Sequence, residues 1–104
     1  MSRLEAVKGL VAQDPANSRV RYMLCMEYMS ARDFAAAVAE LKELLARDAD
    51  YVAAYYQAGR ASEEAGEEDA ARAFYRDGMV AAKRVGDAHA LSELQAALDI
   101  LGDS

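Results

Sequence analysis

The side chains able to carry covalent or proton-transfer chemistry are few and scattered. His89 is the one histidine in 104 residues, and with no Ser or Cys nucleophile motif beside it, it reads as a helix-surface or capping residue rather than a general base. Cys25 is the one cysteine. Its counterpart 34 residues on is Gly59, so it reads as a small buried side chain rather than a reactive thiol. The acidic run Glu63, Glu64, Glu67, Glu68 and Asp69 lacks the calcium-loop pattern and reads as a solvated turn. Neither a glycine-rich phosphate loop nor a CxxC pair occurs. The expectation is a non-enzymatic protein with no metal and no cofactor.

What remains is binding chemistry. The segment Ser18 to Asp48 carries Val20, Leu24, Cys25 and Tyr28 on one side of a helix and Tyr22, Met26 and Met29 displaced around the cylinder. A helix apolar on two sides is either sandwiched in a core or keeps one side for a partner. Tyr and Arg are enriched where binding energy concentrates, and Met supplies adaptable apolar contact.

Composition bounds the setting of that surface. A single Pro and abundant Ala, Leu, Glu and Arg predict an all-helical chain, and 104 residues suit one domain. The formal net charge of -6 argues against nucleic acid and anionic membrane as partners. The N-terminal SRLEAVKGL has neither the apolar core of a signal peptide nor a spanning segment, and a lone cysteine forms no internal disulfide, so a cytoplasmic location is expected.

Periodicity places the elements. Ser2 and Glu5 have capping-box spacing, and Leu4, Val7, Leu10 and Val11 mark one face of a helix that must stop by Asp14 and Pro15. Asn17 or Ser18 caps the next helix. Arg32 and Asp33 form a turn, and Phe34, Val38, Leu41, Leu44 and Leu45 continue as a third helix, with Ala35, Ala36, Ala37 and Ala39 allowing close approach. After a turn at Asp48 to Asp50 the plan repeats with a fourth helix. Gly59 within it costs roughly 1 kcal/mol relative to Ala, so its presence predicts a close helix crossing. Gly66 stops that helix. Glu67, Glu68 and Asp69 open a fifth running through Phe74, Tyr75, Met79 and Val80 to about Arg84, and Gly86 ends it. Leu91, Leu94, Leu98 and Leu101 form the stripe of a last helix from Asp87.

The plan of Ser18 to Asp48 recurs 34 residues later: Tyr22 as Tyr56, Ala37 as Ala71, Ala39 as Ala73 and Leu41 as Tyr75. Each copy is too small to bury its apolar face alone, so copies must stack. In this pattern the chain resembles the tetratricopeptide repeat family. The first copy keeps Leu24, Tyr28, Ala37 and Leu41 but has Cys25 for the usual Gly, and departs at Arg21 and Ala49. The second keeps Tyr55, Gly59, Ala71 and Tyr75, with Ser62 where Tyr is usual. One period earlier Val7 aligns with Leu41 and Leu10 with Leu44, and Pro15 falls on the family's terminal Pro.

The resemblance implies a right-handed α-solenoid of antiparallel helix pairs. Within one domain, 1–104, it divides into a half repeat over 2–14, repeats over 18–48 and 51–85, and a capping helix over 87–101 that fits the period only after a shift of about two residues. It also implies protein or peptide binding on a concave groove lined by Arg19, Tyr22, Met23, Met26 and Met29 from one copy and Ala53, Tyr56, Gln57, Arg60 and Glu63 from the next. The family's carboxylate clamp of Lys and Asn is absent, its places holding Tyr22, Met26 and Gln57. The expected ligand is instead an amphipathic helix or extended segment with apolar anchors, with Arg19 and Arg60 meeting acidic or backbone oxygens. Burial of the same residues beneath the first or last helix is the competing reading. The alternative function is self-assembly into a homo-oligomeric scaffold.

Overall fold

In the computed structural model, which describes residues 1–102, side chains fix where the helices start. Ser2 Oγ accepts the Glu5 amide at 3.1 Å and opens α1 (Arg3–Gln13), and Asn17 Oδ1 accepts from Val20 at 3.2 Å and opens α2 (Ser18–Ser30). Asp33 does the same for α3 (Phe34–Arg47) and Asp87 for α6 (Ala88–Leu101). Such caps contribute about 1 kcal/mol each. Between them lie α4 (Val52–Glu64) and α5 (Glu68–Val85). The Glu5 carboxylate meets the Ser2 hydroxyl at 3.5 Å.

Two kinds of turn alternate up to α5. After α2 and α4 the chain passes through a left-handed residue, Arg32 (φ 58) or Gly66 (φ 78). The next amide then bonds back five residues, Asp33 to Tyr28 O at 2.9 Å and Glu67 to Ser62 O at 2.8 Å. Arg32 occupies a conformation that favours Gly. After α1 and α3 the chain leaves through Asp14 and Asp48, both with φ near -140. The exit from α5 breaks the alternation, because Gly86 (φ 74) makes the left-handed turn there. With α5 running 18 residues against 14 for α3, this accounts for the register shift that the sequence predicts for α6.

Successive helices pack in antiparallel pairs. Val7, Val11 and Leu24 join α1 to α2. Cys25, Ala37, Leu41 and Leu44 meet Ala54, Ala58 and Ala61 of α4. Val52, Tyr55, Ala71, Tyr75, Ala81 and Ala82 meet Leu94 and Leu98 of α6. Helix α4 is therefore buried on two sides. Its tightest contact is at Gly59, where a Cβ would stand 2.2 Å from the fully buried Tyr75 ring. Gly78 makes a second close crossing, its place for a Cβ lying 2.6 Å from Tyr55 Cβ.

Three details differ from the sequence reading. Leu10, placed on the inner face of α1, is 45% exposed. Of the four small residues in α3, Ala37 is the fully buried one, while Ala35 and Ala39 face solvent and Ala36 is half-buried. Arg21, where the pattern calls for an aromatic, is only 7% exposed. Its guanidinium donates to Glu40 at 2.9 Å and to the Pro15 carbonyl at 3.2 Å. In the next copy the Tyr55 hydroxyl donates to the Ala49 carbonyl at 2.7 Å. Both donors reach six residues back to the same carbonyl of the preceding turn, so Arg21 does by length and charge what Tyr55 does by its ring.

Two stability measurements check this packing. Replacing Gly59 by Ala gains about 1 kcal/mol of helix propensity but overpacks a rigid ring, at a cost of about 1–3 kcal/mol. Urea unfolding should therefore show net destabilisation. In a double-mutant cycle with Tyr75→Leu, Gly59→Ala should cost less than it does beside the parent Tyr75 ring, because Cys25 and Leu41 form the same pair in the first copy. Arg21→Ala, which strips Glu40 and the Pro15 carbonyl of a donor, should cost about 1–3 kcal/mol, whereas Arg21→Tyr should recover most of it.

Candidate functional site

Helices α2, α4 and α6 each turn one face to a shared cleft of about 310 Å³. Tyr22 supplies one wall, and Ala53, Tyr56 and Gln57 supply the floor from consecutive turns of α4. The opposite wall is His89, Ala90, Glu93 and Leu94 of α6, with Asp87 at its rim. Tyr22 stands against Tyr51, ring centroids 5.2 Å apart. Burial raises the pKa of its hydroxyl, while a hydrogen bond with Gln57 pulls the other way. The phenol therefore stays neutral at pH 7. His89 Nε2 lies 2.8 Å from Glu93 Oε1 on the same helix face.

Tyr56 also walls a second cleft of about 320 Å³, shared with Arg60, Glu63, Glu64 and Tyr75 and closed by Ala97 and Ile100 of α6. Its ring sits 6.2 Å from that of Tyr75, and the Arg60 guanidinium lies 6.0 Å from its centroid. The Tyr75 hydroxyl donates to the Glu63 carboxylate, which with burial raises the phenol pKa. Glu63 is thereby committed to the α4–α5 contact. Ile100 is 87% exposed.

Of the residues the sequence assigns to a groove, Tyr22, Ala53, Tyr56 and Gln57 line the first cleft, and Tyr56, Arg60 and Glu63 line the second. Met26 and Met29 are half-buried against the α2–α3–α4 cluster, and Met23 is 39% exposed outside both clefts. Arg19 is exposed, and its charge acts on the Tyr51 hydroxyl. The sequence reading left His89 and Glu93 out of the site. A signal for them was present: a shift of 34 plus two residues carries Ala53 and Gln57 onto His89 and Glu93.

The arrangement offers apolar walls with a few polar groups, the make-up of a ligand-binding cleft. Among the described residues no group of three or more His, Cys, Asp or Glu could hold a metal ion, and no helix is long and apolar enough to cross a membrane. Cys25 is fully buried, and burial pushes its thiol up to about 12. The thiolate that a nucleophile needs is thus suppressed.

Solved structures offer the comparison. A Bordetella parapertussis protein matches with a TM-score of 0.83 at 29% identity over 97% of this chain and 88% of that one. A tetratricopeptide repeat domain protein from Salinibacter ruber matches its solution structure with a TM-score of 0.76 at 36% identity, over 81% of this chain and 85% of that one. Its crystal structure matches at 0.72 and 34% identity, over 78% and 91%. No family model and no curated protein matches the chain.

The buried thiol generates a pH prediction. Its folded pKa lies above the ordinary value, so the neutral form stabilises the fold fully below about pH 8.5, the unfolded value. That contribution is lost as pH rises from there toward 12. Denaturant unfolding at pH 8, 9.5 and 10.5 should show falling stability with a slope of up to about 1.4 kcal/mol per pH unit from this group. Cys25→Ala should flatten the curve, and Cys25 in the native chain should react with a thiol reagent only as fast as the chain opens.

Proposed function

Since this chain belongs to the tetratricopeptide repeat family, whose members are in general protein-interaction modules, we propose that it is a non-enzymatic cytoplasmic adaptor holding a peptide or helical segment in the α2–α4–α6 groove. The observation that carries this reading is the first cleft. Three helices converge on it, Tyr22 and Tyr56 provide apolar walls, and Gln57 supplies both a donor and an acceptor.

Apolar anchors of the ligand would enter between the two tyrosines, and Gln57, His89 and Glu93 would meet its polar groups. The continuation past Tyr56 into the second cleft lets one ligand run along α4, with Arg60 available to acidic or carbonyl oxygens. Arg19, Met23, Met26 and Met29 extend the same reading onto the α2 side. Because Met26 and Met29 also pack on the core, their contribution is apolar wall.

Selection of a displayed random-peptide library against the full chain tests the proposal. Selected peptides should bind in solution and perturb the amide resonances of Tyr22, Tyr56, Gln57 and Glu93. Alanine at Tyr22, Met26 or Tyr56 would disturb packing as well as binding. Ala53 is exposed on the cleft floor, so Ala53→Arg should weaken binding about tenfold or more with the melting temperature nearly unchanged. Peptides that Ala53→Arg binds as well as the parent does would overturn the groove assignment.

A further inference from the structure

The two outermost helices carry complementary open faces. The turn after α1 repeats the turn after α3: the Asn17 amide bonds Asp14 O at 3.0 Å and the Tyr51 amide bonds Asp48 O at 3.2 Å. The carbonyls of Pro15 and Ala49 then take the bonds from Arg21 and Tyr55. Helix α1 thus stands to α2 as α3 stands to α4, with Leu10 in the place of Leu44. Leu44 is fully buried; Leu10 is 45% exposed, because none of the described helices stands beside α1 as α2 stands beside α3.

At the other end α6 packs on α5 as α4 packs on α3, with Ala90, Leu94 and Ala97 in the places of Ala54, Ala58 and Ala61. The face that α4 turns to α5 includes Val52, Tyr55, Gly59 and Glu63. Its counterpart on α6 is Ala88, Leu91, Gln95 and Asp99, and these line an open groove of about 510 Å³ with Met79 and Lys83 of α5.

We propose that this groove receives α1 of a second copy, so that the chains stack head to tail and each junction completes a helix pair. The register follows from contacts inside the chain. The close approach of Tyr55 and Gly78 transposes to Leu91 and the next copy's Leu10. Val7, in the place of Tyr75, is already buried against Leu24 of α2, so Gln95, in the place of Gly59, supplies the longer side chain that lies over it from the other helix. Asp99, in the place of Glu63, falls near Arg3, in the place of Ala71; the Arg3 guanidinium already holds Glu27 at 2.8 Å, and Asp99 brings it a second carboxylate. Two different faces join, so assembly does not stop at a dimer and each added copy leaves a face for the next. The junction lies apart from the peptide groove, and Ala53→Arg leaves it intact.

Light scattering of the full chain tests this, at about 0.15 M salt, where a Debye length of about 8 Å screens the net negative charge. Average mass should rise with concentration and pass the dimer. Leu10→Glu and Leu91→Glu should each be monomeric alone. Mixed in equal amounts they should give a dimer and nothing larger, since the mixture contains one intact face of each kind. Melting curves check that both variants fold. If Leu91→Glu does not, oxidation of the Leu10→Cys chain mixed with the Leu91→Cys chain should cross-link them in preference to either alone, Cys25 being buried. A parent chain that stays monomeric to about 1 mM, a mass that levels off at the dimer, or a mixture that remains monomeric or fails to cross-link would overturn the proposal.

Discussion

The ring of Tyr75 over Gly59 sets the distance between α4 and α5, and much of the remaining geometry follows from it. A helix with any side chain at 59 would have to stand off, since a Cβ there would lie 2.2 Å from the ring. The close crossing brings Gly78 of α5 against Tyr55 and leaves Leu94 of α6 packed on its other side. The same ring carries a hydroxyl that engages Glu63, so a single aromatic joins the apolar contact to a polar one at its edge. Full burial of a side chain of this size is favourable by several kcal/mol. That is large compared with the few tenths contributed by exposed ion pairs such as Arg47 with Glu43.

The first copy solves the same problem with different residues. Cys25 and Leu41 divide between them the space that Gly59 and Tyr75 divide more unequally, and Arg21 replaces the aromatic hydroxyl with a guanidinium held by Glu40 and a backbone carbonyl. Sharing of volume and of carbonyl partners is preserved while residue types change. This explains how two copies with few identical residues stack in one array.

The proposed binding role rests on what the stacking leaves uncovered. The first helices of successive pairs turn their remaining sides to a common cleft, so residues far apart in sequence, such as Tyr22 and Glu93, come to line one surface. The helix count, the caps at Ser2, Asn17 and Asp87, the stops at Gly66 and Gly86, and the close approach at Gly59 were legible in the sequence, because each depends on neighbours within a turn or on a repeated small residue. Arg21 and Leu10 were not. Arg21 is buried because two partners happen to converge on it, and Leu10 is exposed because none of the described helices packs over it. Neither fact is local.

By itself the sequence determined an all-helical stack of antiparallel pairs, since a 3.6-residue apolar period with a 34-residue recurrence admits no other way to bury its faces. It assigned a groove to α2 and α4 and read α6 as a cap. The tertiary structure decided where the groove runs. An extra turn in α5 and a left-handed exit at Gly86 rotated α6 by two residues, moving His89 and Glu93 into the cleft and Leu94 and Leu98 into the core. The physical reason is that a helix can be rotated by the length of the one before it, and what side chains then meet depends on every helix already packed.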